Sequence, residues 1–122
     1  MKYLIGLALM LLSIPAFSQC LIEFAGKSSI DKDPLVNVDK IVADPVIRVV
    51  NCEGYSIISF EVVTTINGGT YQAECDRGRL YNNLLDLIKK AKKGDHVIIQ
   101  DVHGKSPDGK TVRLPGINLT IY

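Results

Sequence analysis

The sequence feature that most constrains the fold is the dipeptide Asn67-Gly68, which lies between two segments rich in alternating and β-branched residues. A two-residue type I′ turn needs positive φ at both central residues, and Asn-Gly is the strongest short signal for it. We therefore predict a strand from Tyr55 to Ile66 and a return strand that ends before Asp76-Arg77-Gly78. A turn of this type also fixes the register. The predicted pairs are Ile66 with Gly69, Thr64 with Tyr71, Val62 with Ala73 and Phe60 with Cys75.

Further short segments on both sides of this hairpin have the β-branched and alternating character of strands. Upstream, we predict a strand over Val46 to Val50, preceded by a loosely ordered N-terminal part, residues 19–44, with one strand and a loop. Downstream, the predicted strands are His96 to Val102, Thr111 to Leu114 and Ile117 to Ile121.

One segment, Arg79 to Lys93, has helical spacing of its apolar residues instead. We predict an amphipathic helix there, with Gly94 as its C-terminal stop. Lysines crowd its end, where cations complement the helix dipole; an anionic partner such as a lipid headgroup is the alternative explanation. The apolar positions are Leu80, Leu84, Leu85, Leu87, Ile88 and Ala91, and the lysines are Lys89, Lys90, Lys92 and Lys93. Together the elements predict a mainly β domain with one α-helix.

The first residues have the features of an export signal. Lys2 precedes an apolar run, Leu4 to Ile14, which is too short to span a bilayer but matches the core of a signal peptide. Ala16-Phe17-Ser18 then places small residues where signal peptidase reads the chain. We predict a signal peptide over residues 1–18 and a single domain over residues 19–122, located in the periplasm or secreted.

Cys20 offers a second interpretation, in which this residue is acylated as a new N-terminus and anchors an outer-membrane lipoprotein. The residue before a lipidated cysteine is normally small, and here it is Gln19. Gln19 therefore argues against lipidation. We expect the protein to contact a membrane only if Cys20 is lipidated.

The charge balance argues against a nucleic-acid partner. The sequence has 14 Lys and Arg against 13 Asp and Glu, and removal of Lys2 with the signal peptide leaves equal numbers. Nucleic-acid binding usually requires a strong basic excess on one face. We predict no nucleic-acid partner, and the oligomeric state stays open.

Three cysteines enter an oxidising compartment, so one disulfide and one leftover cysteine are expected. Spacing alone does not fix the pairing. Because Cys20 lies near a mobile new terminus, we predict a bridge between Cys52 and Cys75; a buried, inert thiol at Cys75 is the alternative. No CxxC pair is present, and His96 and His103 lack the spacing of a zinc site. We predict no metal and no cofactor.

The last third of the chain carries an ordered set of segments. A lysine-rich helix end, Leu87 to Gly94, precedes the segment Asp95 to Ile99, which begins the strand His96 to Val102. The loop Gly104 to Lys110 and the return segment Leu114 to Ile117 follow. In this order they resemble the C-terminal domain of GldM-type proteins, which belong to the gliding-motility and type IX secretion machinery of Bacteroidetes. The resemblance covers about Tyr55 to Tyr122. It implies an antiparallel β-sandwich-like (Ig-like) domain with an inserted helix, in a stand-alone secreted version.

That resemblance implies protein contact instead of chemistry. We predict a non-enzymatic interaction module of the bacterial cell envelope that binds an envelope protein through a sheet edge and one loop. Loops on a rigid scaffold commonly carry recognition. The loop residues are Lys105, Pro107, Asp108 and Gly109, although Pro-Asp-Gly also builds a tight turn without any partner.

The alternative function is a small secreted ligand-binding protein or hydrolase with a site near His96, Asp101 and His103. Asp101 and His103 share one face of a strand, a geometry that a general acid-base pair can use, whereas His96 has the opposite parity. Neither a GxSxG segment nor a phosphate-binding glycine loop is present, so we predict no catalytic residue. A pocket joining the three side chains favours the alternative, and an exposed edge strand favours the interaction module.

Overall fold

The computed structural model describes residues 20–122, so the predicted signal peptide, residues 1–18, lies outside the described residues. Strands and two short helices make up most of this part of the chain. In chain order they are β1 (Leu21–Phe24), β2 (Lys27–Ser28), β3 (Leu35–Val36), α1 (Val38–Ala43), β4 (Arg48–Val50), β5 (Ser56–Ile66), β6 (Gly69–Asp76), α2 (Asn82–Ile88), β7 (His96–Lys105), β8 (Thr111–Leu114) and β9 (Ile117–Ile121).

The hairpin of β5 and β6 forms as predicted. Asn67 has φ 52° and Gly68 has φ 82°, the two positive values that a type I′ turn requires. All four predicted pairs are present, and the pairing continues without a break from Gly69 to Asp76. Burial alternates along β5 from Phe60 to Ile66, so the even-numbered residues face the core. The predicted register is confirmed.

Two sheets share one hydrophobic core. The larger sheet has the order β3-β9-β7-β5-β6, with β8 also paired with β7, and the smaller sheet has the order β2-β1-β4. β3 lies parallel to β9, and the other pairs are antiparallel. Ile22 and Phe24 of β1 belong to the same buried cluster as Phe60 and Val62 of β5. The fold is therefore mainly β and sandwich-like, with an inserted amphipathic helix, as predicted.

The segment before β4 is more ordered than the sequence predicts. It contains β1, β2, β3 and α1, and Ile22 and Ile41 are completely buried. Asn37 caps α1, since its side-chain oxygen accepts a hydrogen bond from the Asp39 amide at 2.8 Å. The strands of this segment pair with distant partners, β1 with β4 and β3 with β9, which a local pattern does not reveal.

Helix α2 is much shorter than the predicted span Arg79 to Lys93. It ends at Ile88 with Lys89 as its C-cap, and the amides of Lys90 and Ala91 then bond to carbonyls three residues back. The Asp95 carboxylate then accepts a hydrogen bond from the Lys92 amide at 2.8 Å, which stabilises a turn instead of further helix. The core-facing residues are nevertheless those predicted, with Leu84, Leu85 and Ile88 buried.

Gly94 is consequently not the helix stop. Its φ is 94°, and its amide donates to the carbonyl of Ile121 at 2.8 Å, so it joins the turn to β9. Lys92 and Lys93 lie beyond the helix, and the dipole explanation of the lysine cluster does not apply to them. Within residues 20–122, none of the helices combines the length and the apolar character needed to cross a membrane.

The disulfide joins Cys20 to Cys52, so the predicted bridge between Cys52 and Cys75 is wrong. β1 and β4 are antiparallel with Leu21 opposite Val50, which brings Cys20 beside the residues that follow β4. The two Cα atoms are 5.3 Å apart, within the usual range for a disulfide. Cys75 is a free, buried thiol opposite Phe60, and burial raises its pKa. The alternative for Cys75, a buried unbridged thiol, is the one observed.

Candidate interaction surface

The predicted interaction loop is a tight turn between β7 and β8. Strand β7 extends to Lys105, three residues beyond the predicted end, which leaves only residues 106–110 outside the strands. Gly109 has φ 87° and its amide donates to the Ser106 carbonyl at 2.9 Å. Lys105, Pro107, Asp108 and Gly109 are all exposed.

Hydrogen bonds within the turn account for most of its polar groups. The buried Ser106 hydroxyl donates to the Asp108 carboxylate and accepts from the Lys110 amide at 3.3 Å. Pro107 lies against the turn after β4, because a Cβ at Gly54 would come within 2.8 Å of Pro107 Cγ. Hydrogen bonds of Ser106 and the packing of Pro107 against Gly54 therefore stabilise this turn.

The Ser106 hydroxyl holds the pKa of the Asp108 carboxyl below its ordinary value, with a further contribution from the Lys110 amide. We expect Ser106→Ala to raise the pKa of Asp108 towards the value of an unperturbed aspartate. Because the folded-state pKa is the depressed one, this bond stabilises the fold above about pH 4 and is lost as the pH falls through the folded pKa. NMR titration of the Asp108 carboxyl carbon measures the change.

The matched control is Ser56→Ala. Ser56 is an exposed serine of β5 that makes no hydrogen bond to Asp108 within the described range. This variant is expected to leave the titration of Asp108 unchanged. An unchanged titration in Ser106→Ala would show that the Ser106 hydroxyl does not hold this carboxylate.

Asp101 and His103 lie together on β7, as the strand parity predicts. His103 Nε2 is 3.6 Å from Asp101 Oδ1. Arg113 of β8, which pairs with His103, also binds the Asp101 carboxylate. Asp101 has φ 53° at a point where the pairing of β7 with β5 shifts register. This β-bulge sets the direction of the Asp101 side chain. The result is a charged cluster whose carboxylate is already neutralised.

His96 is not part of that cluster. It lies at the opposite end of β7, about 23 Å from His103 at the usual rise of a strand. Its Nδ1 is 3.2 Å from the Thr120 hydroxyl, and its carbonyl accepts from the Thr64 hydroxyl at 2.8 Å. The three residues of the alternative site are therefore not brought together.

The cavities agree with this separation. A depression of about 60 Å³ is lined by Asp101 and His103 together with Glu61 and Glu74. It has room for about two waters, whereas small-molecule sites usually measure 300 Å³ or more. Open grooves of about 380 and 350 Å³ lie beside α2 and beside Pro107, and neither contains His96, Asp101 or His103. Among residues 20–122, no cluster of three His, Cys, Asp or Glu side chains is placed to hold a metal ion.

Strand β6 gives the larger sheet a long free edge. It pairs with β5 on one side, and no strand in the described part of the chain pairs with its other side. The Arg77 amide donates to the Ile58 carbonyl at 3.0 Å, so Ile58 and Arg77 form a hydrogen-bonded pair. In an antiparallel hairpin such pairs alternate with pairs that lack hydrogen bonds. By that alternation, Tyr71 and Ala73 bond to β5. The amides and carbonyls that point outward belong to Thr70, Gln72, Glu74 and Asp76, and we call these four residues the β6 edge.

The β6 edge has few of the usual protections of an edge strand. Natural sheets shield their edges with charged side chains, above all lysine, and with proline, bulges or very short strands. Glu74 and Asp76 are the charged residues of this edge. β6 contains neither lysine nor proline, its register is unbroken over eight residues, and the four edge residues are exposed. By comparison β3 and β2 have two residues each and β4 has three.

Sequence reasoning missed two features of this surface. It predicted a sheet edge without identifying the strand, because strand order depends on pairing between distant segments. It also missed the contact of Arg113 with Asp101, although a signal was present. Had the strand been extended to the Pro107-Asp108-Gly109 turn, the hairpin register would have placed Arg113 opposite His103.

The fold and surface define a sandwich-like β domain with an internal disulfide, one long free edge strand and a depression of about 60 Å³ at its acid-imidazole cluster. No protein-family model matches the chain, and no curated protein matches it.

Proposed function

We propose that this chain is a non-enzymatic, exported protein-interaction module of the bacterial cell envelope, related to the C-terminal domain of GldM-type proteins. The observation that carries the proposal is the β6 edge. A partner segment that lies along it can form main-chain hydrogen bonds with Thr70, Gln72, Glu74 and Asp76, which is how edge strands commonly recognise extended peptides.

The disulfide supports the export part of the proposal. Disulfides persist in oxidising compartments and are rare in the cytosol, and the sequence of residues 1–18 has the pattern of a signal peptide. The bridge also bears on lipidation. It occupies Sγ of Cys20, the atom to which a lipoprotein lipid is attached, so one molecule cannot carry both. A periplasmic or secreted protein without a lipid is the proposed form.

The turn at residues 106–110 is a secondary contact surface in this proposal. Lys105, Pro107 and Asp108 expose their side chains. The backbone amides of Ser106 and Gly109 already donate to carbonyls within the turn. The turn therefore offers fewer free backbone groups to a partner than the β6 edge does. The main contact is therefore assigned to the edge.

The test replaces one residue of the β6 edge. Gln72→Pro removes an outward amide and puts a ring in the path of an added strand, while the bonds of β6 to β5 stay in place. Gln72→Ala is the matched control, since it keeps the amide. In cross-linking from an envelope fraction, we expect wild type and Gln72→Ala to capture the same protein and Gln72→Pro to lose it.

Thermal unfolding of the three proteins checks that the proline variant is folded. If a folded Gln72→Pro protein captures the same partner as wild type, the edge is not the contact surface. If wild type captures no envelope protein at all, the proposal as a whole is wrong.

A further inference from the structure

The exposed face beside the β6 edge carries three carboxylates close together. Glu74 and Asp76 belong to the edge itself, and Glu61 lies directly opposite Glu74 on β5. By the alternation set by Arg77 and Ile58, this is a pair without hydrogen bonds, the type in which side chains lie closest. Like charges directly opposite each other on a sheet are destabilising.

The protein does not neutralise this charge itself. Within residues 20–122, no basic side chain comes within ion-pair distance of Glu61, Glu74 or Asp76. Their polar contacts are neutral: Gln100 Nε2 donates to Glu61 at 2.5 Å and the Tyr81 hydroxyl donates to Asp76 at 3.2 Å. Asp101 lines the same depression as Glu61 and Glu74 but, unlike them, lies within ion-pair distance of two basic side chains, Arg113 and His103.

We infer that the β6 edge binds an extended segment of a partner protein that carries basic side chains at alternate positions. This inference rests on the proposed function and specifies the chemistry of the partner. Residues of an added strand opposite Glu74 and Asp76 would have side chains on the same face of the sheet as these carboxylates. Lysine or arginine there would relieve the repulsion between Glu61 and Glu74.

The charges beyond β6 limit the length of the basic stretch. Arg77 and Arg79 are exposed and flank the groove of about 380 Å³ beside α2. A partner that continued past Asp76 with more basic residues would meet these arginines. The complementary stretch therefore lies opposite Gln72 to Asp76.

The same charges disfavour a second copy of this chain as the occupant. Pairing two β6 edges about a two-fold axis would place two sets of Glu61, Glu74 and Asp76 on one continuous face. The like-charge repulsion present within one molecule would be extended across the interface. A basic strand has no such penalty.

The test uses two synthetic peptides, one of alternating threonine and lysine and one of alternating threonine and glutamate. Fluorescence anisotropy should show that only the lysine peptide binds the oxidised protein, with affinity that falls as salt rises above about 0.1 M. The variant Glu74→Lys with Asp76→Lys should bind the lysine peptide about tenfold more weakly and gain affinity for the glutamate peptide. Glu53→Lys with Asp86→Lys makes the same charge change at exposed sites outside the edge and should leave binding unchanged.

Backbone methylation of the lysine peptide tests the strand geometry without altering the protein. Methyl groups on the amides that face the β6 edge should abolish binding, whereas methyl groups on the other amides should not. Equal binding of the two unmodified peptides, or no effect of the Glu74 and Asp76 reversal, would overturn the inferred chemistry. The loss of envelope capture by Gln72→Pro would then still support the proposed function. A dimer in sedimentation that Gln72→Pro abolishes would make a second copy the occupant and also overturn the inference.

Discussion

Replacing both bridged cysteines, Cys20→Ala with Cys52→Ala, is expected to lower the free energy of unfolding by about 3.7 kcal/mol. The bond joins residues 32 positions apart, and this figure is the chain-entropy cost of closing a loop of that size. A domain of about 100 residues loses about 4 to 8 °C of melting temperature per kcal/mol, so the transition should fall by about 15 to 30 °C. Calorimetry of the oxidised wild type and the double variant measures this.

Cys75→Ala provides the control for this prediction. It removes a buried thiol without touching the bridge, so its melting temperature should still fall when a reductant is added, as in wild type. The double variant should not respond to reductant. Non-reducing peptide mapping should recover Cys20 with Cys52; a map that joins Cys75 to either one would contradict the assignment.

Phe60→Ala is expected to cost about 3 to 5 kcal/mol, the usual range for removing a buried aromatic ring from a core. Phe60 is 1% exposed and lies opposite the buried Cys75 in the hairpin. The stability of a small domain is about 5 to 15 kcal/mol in total, so this variant should be only marginally folded. Urea unfolding followed by far-UV circular dichroism measures the loss.

Ile58→Ala is the matched control on the same strand. A strict period of two places Ile58 on the face of Phe60, yet Ile58 is 40% exposed. The pairing of β5 with β7 shifts register between Ile57 and Ser59, which turns Ile58 away from the core. We expect its replacement to cost less than about 1 kcal/mol. Equal losses for the two variants would show that Ile58 is buried and that the register shift is absent.

The features that the sequence predicted correctly are those that depend on neighbouring residues. The Asn67-Gly68 turn depends only on the positive φ angles of these two residues. This turn fixes the register in which β5 pairs with β6. The segments Thr111 to Leu114 and Ile117 to Ile121 became strands as predicted because their alternation is short and unbroken. The core face of α2 was likewise readable, since Leu84, Leu85 and Ile88 recur at helical spacing.

Contacts between distant segments decided the rest. Cys20 lies next to Cys52 because β1 pairs with β4, although a long segment separates the two strands in the sequence. No short turn joins these strands, so the local sequence does not predict their pairing. Helix α2 stops early because Gly94 and Asp95 bond to Ile121 of β9, which holds the intervening lysines in a turn. These are tertiary hydrogen bonds, and helical periodicity carries no information about them.

The interaction surface divides in the same way. The sequence alone placed Asp101 and His103 on one strand face and identified the tight turn at Pro107-Asp108-Gly109. Only the tertiary structure added Arg113 to these two residues and left β6 as the strand with a free edge. The physical reason is that the face on which a side chain lies follows from the local alternation of a strand. The order of strands in a sheet instead depends on which distant segments bury their apolar surfaces against each other.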